Sequence, residues 1–200
     1  MMIEKLRIHI SKIFVVLLIL FICISRSAWE DNFHTVTAGL FFSGALLVGI
    51  ASIGRLWCSV YIAGYKKNHL VMQGPYSMCR NPLYFFSLLG AVGVGLCTET
   101  ILIPLVIFIA FAGYYPFVIK SEEEELKRLH KREFEIYMKE VPRFFPQISL
   151  LKEPEEYLVK PKVLKRHMFD ALWFIWLTGV LEVVEELHEL KVLPTIFNIY

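Results

Sequence analysis

The residues best suited to chemistry lie in a short polar stretch between two long apolar segments. This stretch, Gly74–Tyr84, reads G-P-Y-S-M-C-R-N-P-L-Y and is called the hinge below. Pro75 and Pro82 fix their own φ angles and keep the residues before them, Gly74 and Asn81, out of the helical region. A polar loop beside apolar segments has few reasons to be rigid other than forming part of a site. We therefore predict that the hinge is one wall of a binding site.

The side chains in and around the hinge indicate which ligands it would suit. Tyr76 and Tyr84 offer ring faces that attract a sulfonium or an ammonium group. Arg80 and Arg143 could clamp a carboxylate or hold a phosphate. A carboxylate of the run Glu122–Glu125 could face a polar ligand. Structural interpretations stay open for each of them: interfacial aromatics, lipid-anchoring arginines, and acids that complement a helix N-terminus.

The composition indicates a membrane protein. The 200 residues are 56% hydrophobic, with a mean hydropathy of +0.53, whereas soluble domains are about 45–50% apolar. The net charge of +2 is too small to suggest a nucleic-acid partner. The cysteines and histidines show no metal-ligand spacing, so we predict neither a metal site nor a disulfide framework.

Long apolar runs predict an all-α, polytopic fold with four to five transmembrane helices and a cytosolic amphipathic helix. The first run, counted from Ile8 to Ile24, follows basic residues. The others are Val36–Trp57, Leu83–Cys97, Ile101–Ile119 and a fifth segment at 169–184, which would either span the membrane or lie in its interface. We expect one domain, with a core at 1–167, cofactor motifs at 55–146, and a C-terminal segment at 168–200.

The charged stretch Ser121–Val141 predicts the amphipathic helix. Its apolar residues recur at helical spacing, and Pro142 should end it. Ser121 followed by Glu124 reads as a capping box that would begin a new helix there. Arg55, near the end of its apolar run, would either extend to the membrane surface or point into a polar cavity.

The basic residues predict the orientation. Almost all of the 21 Lys and Arg fall on one side of the predicted spans, and only Arg26 and Lys191 fall on the other. Because basic residues concentrate on the cytoplasmic side, the N-terminus, the hinge and the charged helix are expected there.

The motifs taken in order resemble those of a known enzyme family. They are L-V-x-x-G-P-Y-x-x-x-R-N-P-L-Y from Leu70, E-E-x-x-L from Glu122, F-x-x-Y from Phe134, and V-P-R-F-x-P from Val141. The set is similar to that of integral-membrane methyltransferases of the isoprenylcysteine carboxyl methyltransferase and phospholipid N-methyltransferase group. The resemblance covers roughly residues 55–146.

The resemblance implies S-adenosylmethionine as cofactor, in a pocket facing the cytosol. The residues that match the family's cofactor contacts are Asn68, His69, Leu70, Val71, Tyr76, Asn81, Pro82, Leu83, Tyr84 and Glu122. Arg143 and Arg80 are the candidates for orienting an acceptor in catalysis. The acceptor would be a lipophilic or prenylated molecule that enters from the bilayer, most like an isoprenylcysteine carboxylate.

Two positions depart from the family pattern. Asn81 stands where the family commonly has His, which excludes a titrating role there. Val118 stands where the isoprenylcysteine enzymes have an Arg that faces the substrate, so Lys120 or Arg143 would have to replace it. Phospholipid N-methylation is the alternative activity. An NADPH-dependent sterol-type reductase and a non-catalytic membrane scaffold are alternatives of other classes.

Overall fold

The chain folds into a bundle of helices, which confirms the predicted fold class. The computed structural model describes residues 13, 16–29, 33–65 and 69–200. Its elements are β1 (Ser25–Ser27), α1 (His34–Ile62), α2 (Pro75–Met78), α3 (Pro82–Leu96), α4 (Leu102–Glu140), a 3-10 turn (Ile148–Leu150), α5 (Pro161–Ala171), α6 (Trp173–Glu189) and β2 (Phe197–Ile199).

Three helical stretches of the described residues are long and apolar enough to cross a membrane. They are α1, α4 and the combined stretch of α5 and α6, Pro161–Glu189, and α3 adds a shorter apolar helix. Large apolar side chains such as Phe42, Ile53 and Phe117 are exposed on them, as lipid contact requires. The chain is therefore an integral membrane protein. Residues 16–22 of the first predicted span are helical, and most of that span's earlier residues lie outside the described part.

Small residues allow α1 and α3 to pack closely. A Cβ added at Gly44 would lie 2.6 Å from the carbonyl oxygen of Gly93, and one added at Gly93 would lie 2.8 Å from that of Gly44. The two backbones therefore approach each other at this point, as in other pairs of membrane helices with small residues at their interface.

Arg55 points inward between the helices rather than to the membrane surface. Its guanidinium donates to the Ser87 hydroxyl on α3 and to the carbonyl oxygen of Asp170 on α5, at 3.2 Å. It also lies over the Phe174 ring, 5.5 Å from the centroid. Of the two alternatives at this position, the structure shows the inward one, in which polar groups on two other helices accept hydrogen bonds from the guanidinium.

The charged helix is the second half of α4, and the predicted helix start at Ser121 is wrong. The sequence between Ile119 and Glu122 contains no residue that breaks a helix, so α4 continues from Leu102 to Glu140. It has 39 residues, roughly twice the number needed to cross the hydrocarbon. The helical geometry breaks at Lys131, where φ is 44° and ψ is −116°. Beyond this break, Phe134 and Tyr137 pack against Leu70.

Two short strands that the sequence did not predict join the far ends of the chain. β1 and β2 pair in parallel, with Ser25 opposite Phe197 and Ser27 opposite Ile199. The imidazole Nε2 of His188 lies 3.0 Å from the carbonyl oxygen of Cys23. These contacts hold the end of α6 beside the segment that precedes α1.

The hinge is held along its length by backbone hydrogen bonds to one other segment, as its predicted rigidity requires. Gly74 has a φ of +58°, and its N–H donates to Lys152 at 2.8 Å. The carbonyl of Met78 accepts from Gln147 at 3.0 Å, and the N–H of Arg80 donates to Pro142 at 2.9 Å. The segment after α4 therefore fixes the hinge along its length.

Substitution of Gly74 by alanine should destabilise the fold. The positive φ disfavours any side chain, and the added Cβ would overlap the Tyr61 ring, so we expect a loss of about 2 kcal/mol or more. Gly113→Ala is the matched control, because its Cβ would meet nothing within 4 Å and alanine favours the helix by about 0.5–1 kcal/mol. Thermal unfolding in detergent measures both, and an equal midpoint for the two variants would contradict the conformational argument.

Candidate functional site

The hinge, the loop before it and the charged half of α4 enclose one cavity. Its volume is about 220 Å³. Eight residues predicted for the cofactor contribute to its wall: His69, Leu70, Val71, Tyr76, Asn81, Leu83, Tyr84 and Glu122. Pro82 is buried as the first residue of α3, next to this wall, and Asn68 lies outside the described residues. The structure therefore brings most of the predicted set to one place.

Tyr84 and Glu122 connect the two main walls of the cavity. The Tyr84 hydroxyl donates to Glu122 Oε1 at 2.8 Å. Pro82 begins α3 in its first turn, which suits its fixed φ and its missing N–H. This helix start places Tyr84 opposite α4. The Glu122 carboxylate is therefore oriented at the cavity wall and can accept hydrogen bonds from a polar ligand.

Glu123, beside Glu122, is the centre of a cluster of polar side chains. Its carboxylate accepts from Arg80 Nε at 3.1 Å and from Arg143 Nε at 3.0 Å. The side chains of Glu123 and Arg80 are only 14% and 12% exposed. Asn81 Nδ2 donates to Glu123 Oε1 at 3.4 Å and to the Arg143 carbonyl at 2.9 Å. This cluster joins the hinge, α4 and the segment after α4.

The two arginines predicted to orient an acceptor both contribute to this cluster. Arg80 lines the cavity and also donates from Nη1 to the Met138 carbonyl at 2.8 Å. Arg143 does not line the cavity, and its side chain is 43% exposed. Glu123 therefore neutralises part of the positive charge of the two arginines, which were predicted to orient a substrate.

Tyr76 supplies a buried hydroxyl that has no hydrogen-bond partner among the described residues. Burial raises the pKa of this phenol well above its ordinary value, so it stays protonated and can donate. Tyr137 holds it in place, because the Tyr137 hydroxyl donates to the Tyr76 carbonyl at 2.6 Å. Buried polar groups in folded proteins usually have partners, so an unpaired donor in a cavity wall is suited to a ligand.

The charged groups of the cavity wall are mainly acidic. Among the described residues they are Glu122, Glu123 and Glu125 against Arg80, together with His69. With the tyrosine rings beside them, they favour a cationic ligand, because ring faces and carboxylates both attract positive charge. A ligand with several phosphates would meet repulsion here.

An aromatic cluster continues from the cavity wall. Tyr84 contacts the Tyr115 ring at 5.2 Å between centroids, and Tyr115 stacks on Phe111 at 3.7 Å. Phe144 contacts Phe111 at 6.1 Å and Phe85 at 5.9 Å. An apolar surface thus connects the cavity with the membrane-spanning part of α4.

Several residues of the cavity were missed from the sequence. Leu126, Phe134 and Tyr137 line it, and they belong to the motifs E-E-x-x-L and F-x-x-Y, but they were not among the predicted contacts. Glu123 was missed because the acidic run was explained as a helix start. No group of three or more potential metal-binding side chains occurs within the described part of the chain.

Comparisons with known proteins identify similar sequences. A model of the phospholipid methyltransferase family matches residues 33–133. The nickel-cobalt-cadmium resistance protein NccN of Alcaligenes xylosoxydans xylosoxydans is 40% identical over 94% of this chain and 87% of its own length. The cobalt-zinc-cadmium resistance protein CzcN of Cupriavidus metallidurans is 36% identical over 96% of this chain and 88% of its own length. No solved structure matches the chain significantly.

Removing the two tyrosine hydroxyls should have opposite effects on stability without ligand. Tyr137→Phe leaves the Tyr76 carbonyl without its partner and should cost about 1–2 kcal/mol. Tyr76→Phe removes a buried hydroxyl that is unpaired within the described residues, and it should be neutral or slightly stabilising. Thermal unfolding of the ligand-free variants measures this difference. A loss for Tyr76→Phe as large as that for Tyr137→Phe would show that the Tyr76 hydroxyl is satisfied without a ligand.

Proposed function

Because the chain belongs to the phospholipid methyltransferase family, we propose that it is a membrane enzyme that transfers the methyl group of S-adenosylmethionine to a lipid-like acceptor. The observation that carries the proposal is the acidic cavity with tyrosine walls, formed where the hinge meets α4. The cavity lies beside apolar helices, so a cofactor bound there would be within reach of a membrane-embedded acceptor.

The described residues fit this cofactor. S-adenosylmethionine supplies a methyl group activated by a sulfonium when it is bound. Glu122 would accept hydrogen bonds from its amine or hydroxyl groups, and the unpaired Tyr76 hydroxyl would donate to one of its acceptors. Further contacts are proposed for the matching residues Asn68, His69, Leu70, Val71, Asn81, Pro82, Leu83 and Tyr84.

The same charges argue against the reductase alternative. NADPH carries a pyrophosphate and a 2′-phosphate, whereas Arg80, the arginine of the described wall, is already paired with the Glu123 carboxylate, and Glu122 adds a further carboxylate. Repulsion between such groups disfavours binding in a site with little water. A cation that also bears an amine suits this wall better.

The residues of the chain would align the acceptor and exclude water from it. Methyl transfer is a displacement in line with the breaking bond, so positioning and a dry site supply much of the rate. The rings of Tyr84, Tyr115 and Phe144 would form the apolar approach from the bilayer. Arg143, partly exposed beside Glu123, and Arg80 are proposed to orient the polar end of the acceptor.

Two acceptor classes fit the site, and the carboxylate of a prenylated molecule is the first. It needs no base, and Arg143 would hold it, as the resemblance to the isoprenylcysteine enzymes suggests. The second is the amine of a phospholipid headgroup. It is favoured by the description of the matching family and by carboxylates that could take the proton of the ammonium group.

The cellular setting is proposed from the orientation and the relatives. The concentration of basic residues favours a cytoplasmic N-terminus and a cytoplasmic cavity, where the cofactor is available. The two similar proteins are named for resistance to nickel, cobalt and cadmium and to cobalt, zinc and cadmium. We propose that methylation of a membrane component by this chain serves such resistance, and that residues 1–167 and 168–200 act as one domain.

Replacing Glu122 should weaken cofactor binding selectively. Glu122→Gln removes the charge and should raise the Kd for S-adenosylmethionine about tenfold or more, because hydrogen bonds to charged groups are worth about 1.5–3 kcal/mol. Glu124→Gln, on an exposed residue of the same run, is the control and should change the Kd less than about twofold. Equilibrium titration of the purified protein in lipid measures both, with NADPH as the competing candidate. Saturable binding of NADPH but not of S-adenosylmethionine would overturn the proposal.

The linkage of the transferred methyl group should identify the acceptor class. Membranes containing the protein are supplied with S-adenosylmethionine labelled in the methyl group, and lipid-soluble products are treated with mild base. A methyl ester releases volatile labelled methanol, whereas a methylated amine keeps its label. We expect release for a prenylated carboxylate and retention for the headgroup alternative. If neither product carries the label, both acceptor classes are rejected. The cofactor proposal is tested separately, by the titration described above.

A further inference from the structure

Helix α5 presents a group of basic residues on one face. Lys162, Lys165 and Arg166 are exposed, and their spacing of i, i+3 and i+4 places them together on a helix surface. None of the three takes part in an ion pair with another described residue. The cofactor cavity does not include them, so they take no part in the proposed cofactor binding.

The basic group continues into an exposed aromatic stripe. Phe169 follows Lys165 and Arg166 by one turn and is 66% exposed, while Trp173 and Trp176 are 57% and 68% exposed. The same face therefore carries positive charge at its beginning and large apolar side chains after it. We call these six residues the α5–α6 stripe. Its chemistry matches the two ends of an anionic phospholipid, with phosphate at the basic end and acyl chain along the rings.

The helical stretch is longer than the hydrocarbon is thick, and its tryptophans indicate which end lies at headgroup level. Pro161–Glu189 has 29 residues, which extend about 43 Å, against about 30 Å of hydrocarbon. The first two turns therefore extend beyond the hydrocarbon when Trp173 and Trp176 lie within or at its edge. Tryptophan prefers this boundary, which leaves Lys162, Lys165 and Arg166 among the lipid phosphates.

The opposite face of the same stretch is attached to the bundle. The Asp170 carbonyl accepts from Arg55 at 3.2 Å, and the Phe174 ring packs where a Cβ at Gly90 would clash, at 2.5 Å. At the start of α5, Lys160 Nζ donates to the Gly64 carbonyl at 2.9 Å. These contacts fix the rotation of α5 and α6, so the stripe faces the surroundings of the bundle.

From these observations we propose that the α5–α6 stripe is a binding site for an anionic phospholipid. Lys162, Lys165 and Arg166 hold the phosphate-bearing headgroup, and Phe169, Trp173 and Trp176 contact its acyl chain. Basic residues beside the membrane are attracted to anionic lipid headgroups, so three of them together favour an anionic over a zwitterionic lipid. The site is independent of the proposed methyl transfer.

The tryptophans of the stripe allow a direct test. The full-length protein is placed in vesicles of zwitterionic phosphatidylcholine with a small fraction of brominated lipid, which quenches nearby tryptophan fluorescence. Brominated phosphatidylglycerol should quench at a mole fraction about fivefold lower than brominated phosphatidylcholine. The preference should weaken as the salt concentration rises, because exposed charges are screened. Trp173→Phe with Trp176→Phe should remove the preferential quenching and so assign it to the stripe.

Matched charge variants separate the stripe from the net charge of the protein. Lys162→Gln, Lys165→Gln and Arg166→Gln together should abolish the preference for phosphatidylglycerol. Lys162→Arg with Lys165→Arg should retain it. Arg128→Gln, Arg132→Gln and Lys139→Gln remove the same charge from exposed positions of α4 and should also retain it. Equal quenching by the two lipids in the unmodified protein, or equal loss in the two neutralised variants, would overturn the proposal.

Discussion

The site depends on one buried carboxylate between two arginines. The Glu123 carboxylate accepts hydrogen bonds from Arg80 in the hinge and from Arg143 in the segment after α4, and Asn81 donates to it as well. Burial of such charges is costly unless each is paired and hydrogen-bonded, so the cluster allows little change in the distance between these three segments. Successive residues of a helix point about 100° apart. Glu123 can therefore join the three segments while its neighbour, Glu122, bonds to Tyr84 on α3, and both carboxylates line the cavity.

Local chemistry made much of the fold predictable. Pro82 begins α3 and Pro142 follows the end of α4, as prolines at helix boundaries predict, although Pro116 lies inside α4 without ending it. The apolar runs could be predicted because the thickness of the bilayer sets the length of a spanning helix. The start predicted at Ser121 failed because a good capping residue does not interrupt a helix that is already formed. The inward direction of Arg55 depends on Ser87 and Asp170, which are distant in the sequence.

The candidate site was predicted unevenly for a similar physical reason. Ordered motifs led to Tyr84 and Glu122, which the fold brings within hydrogen-bond distance. The same motifs gave no information on which acid of the run would pair with the arginines. The contact between Tyr137 and the Tyr76 carbonyl joins residues 61 positions apart, and it forms beyond the break in α4. Pairings of this kind follow from the folded backbone and not from the spacing of residue types.

The length of α4 has a consequence for the supply of acceptors. The helix begins at Leu102. About 20 residues are needed to cross the hydrocarbon, so the helix reaches the other boundary near Glu122. The cavity is therefore at the boundary of one leaflet only. A polar group at that level can meet it, whereas one in the opposite leaflet is a full hydrocarbon thickness away. In the proposed reaction, the enzyme would act on one monolayer, and acceptors made in the other would first have to cross between leaflets.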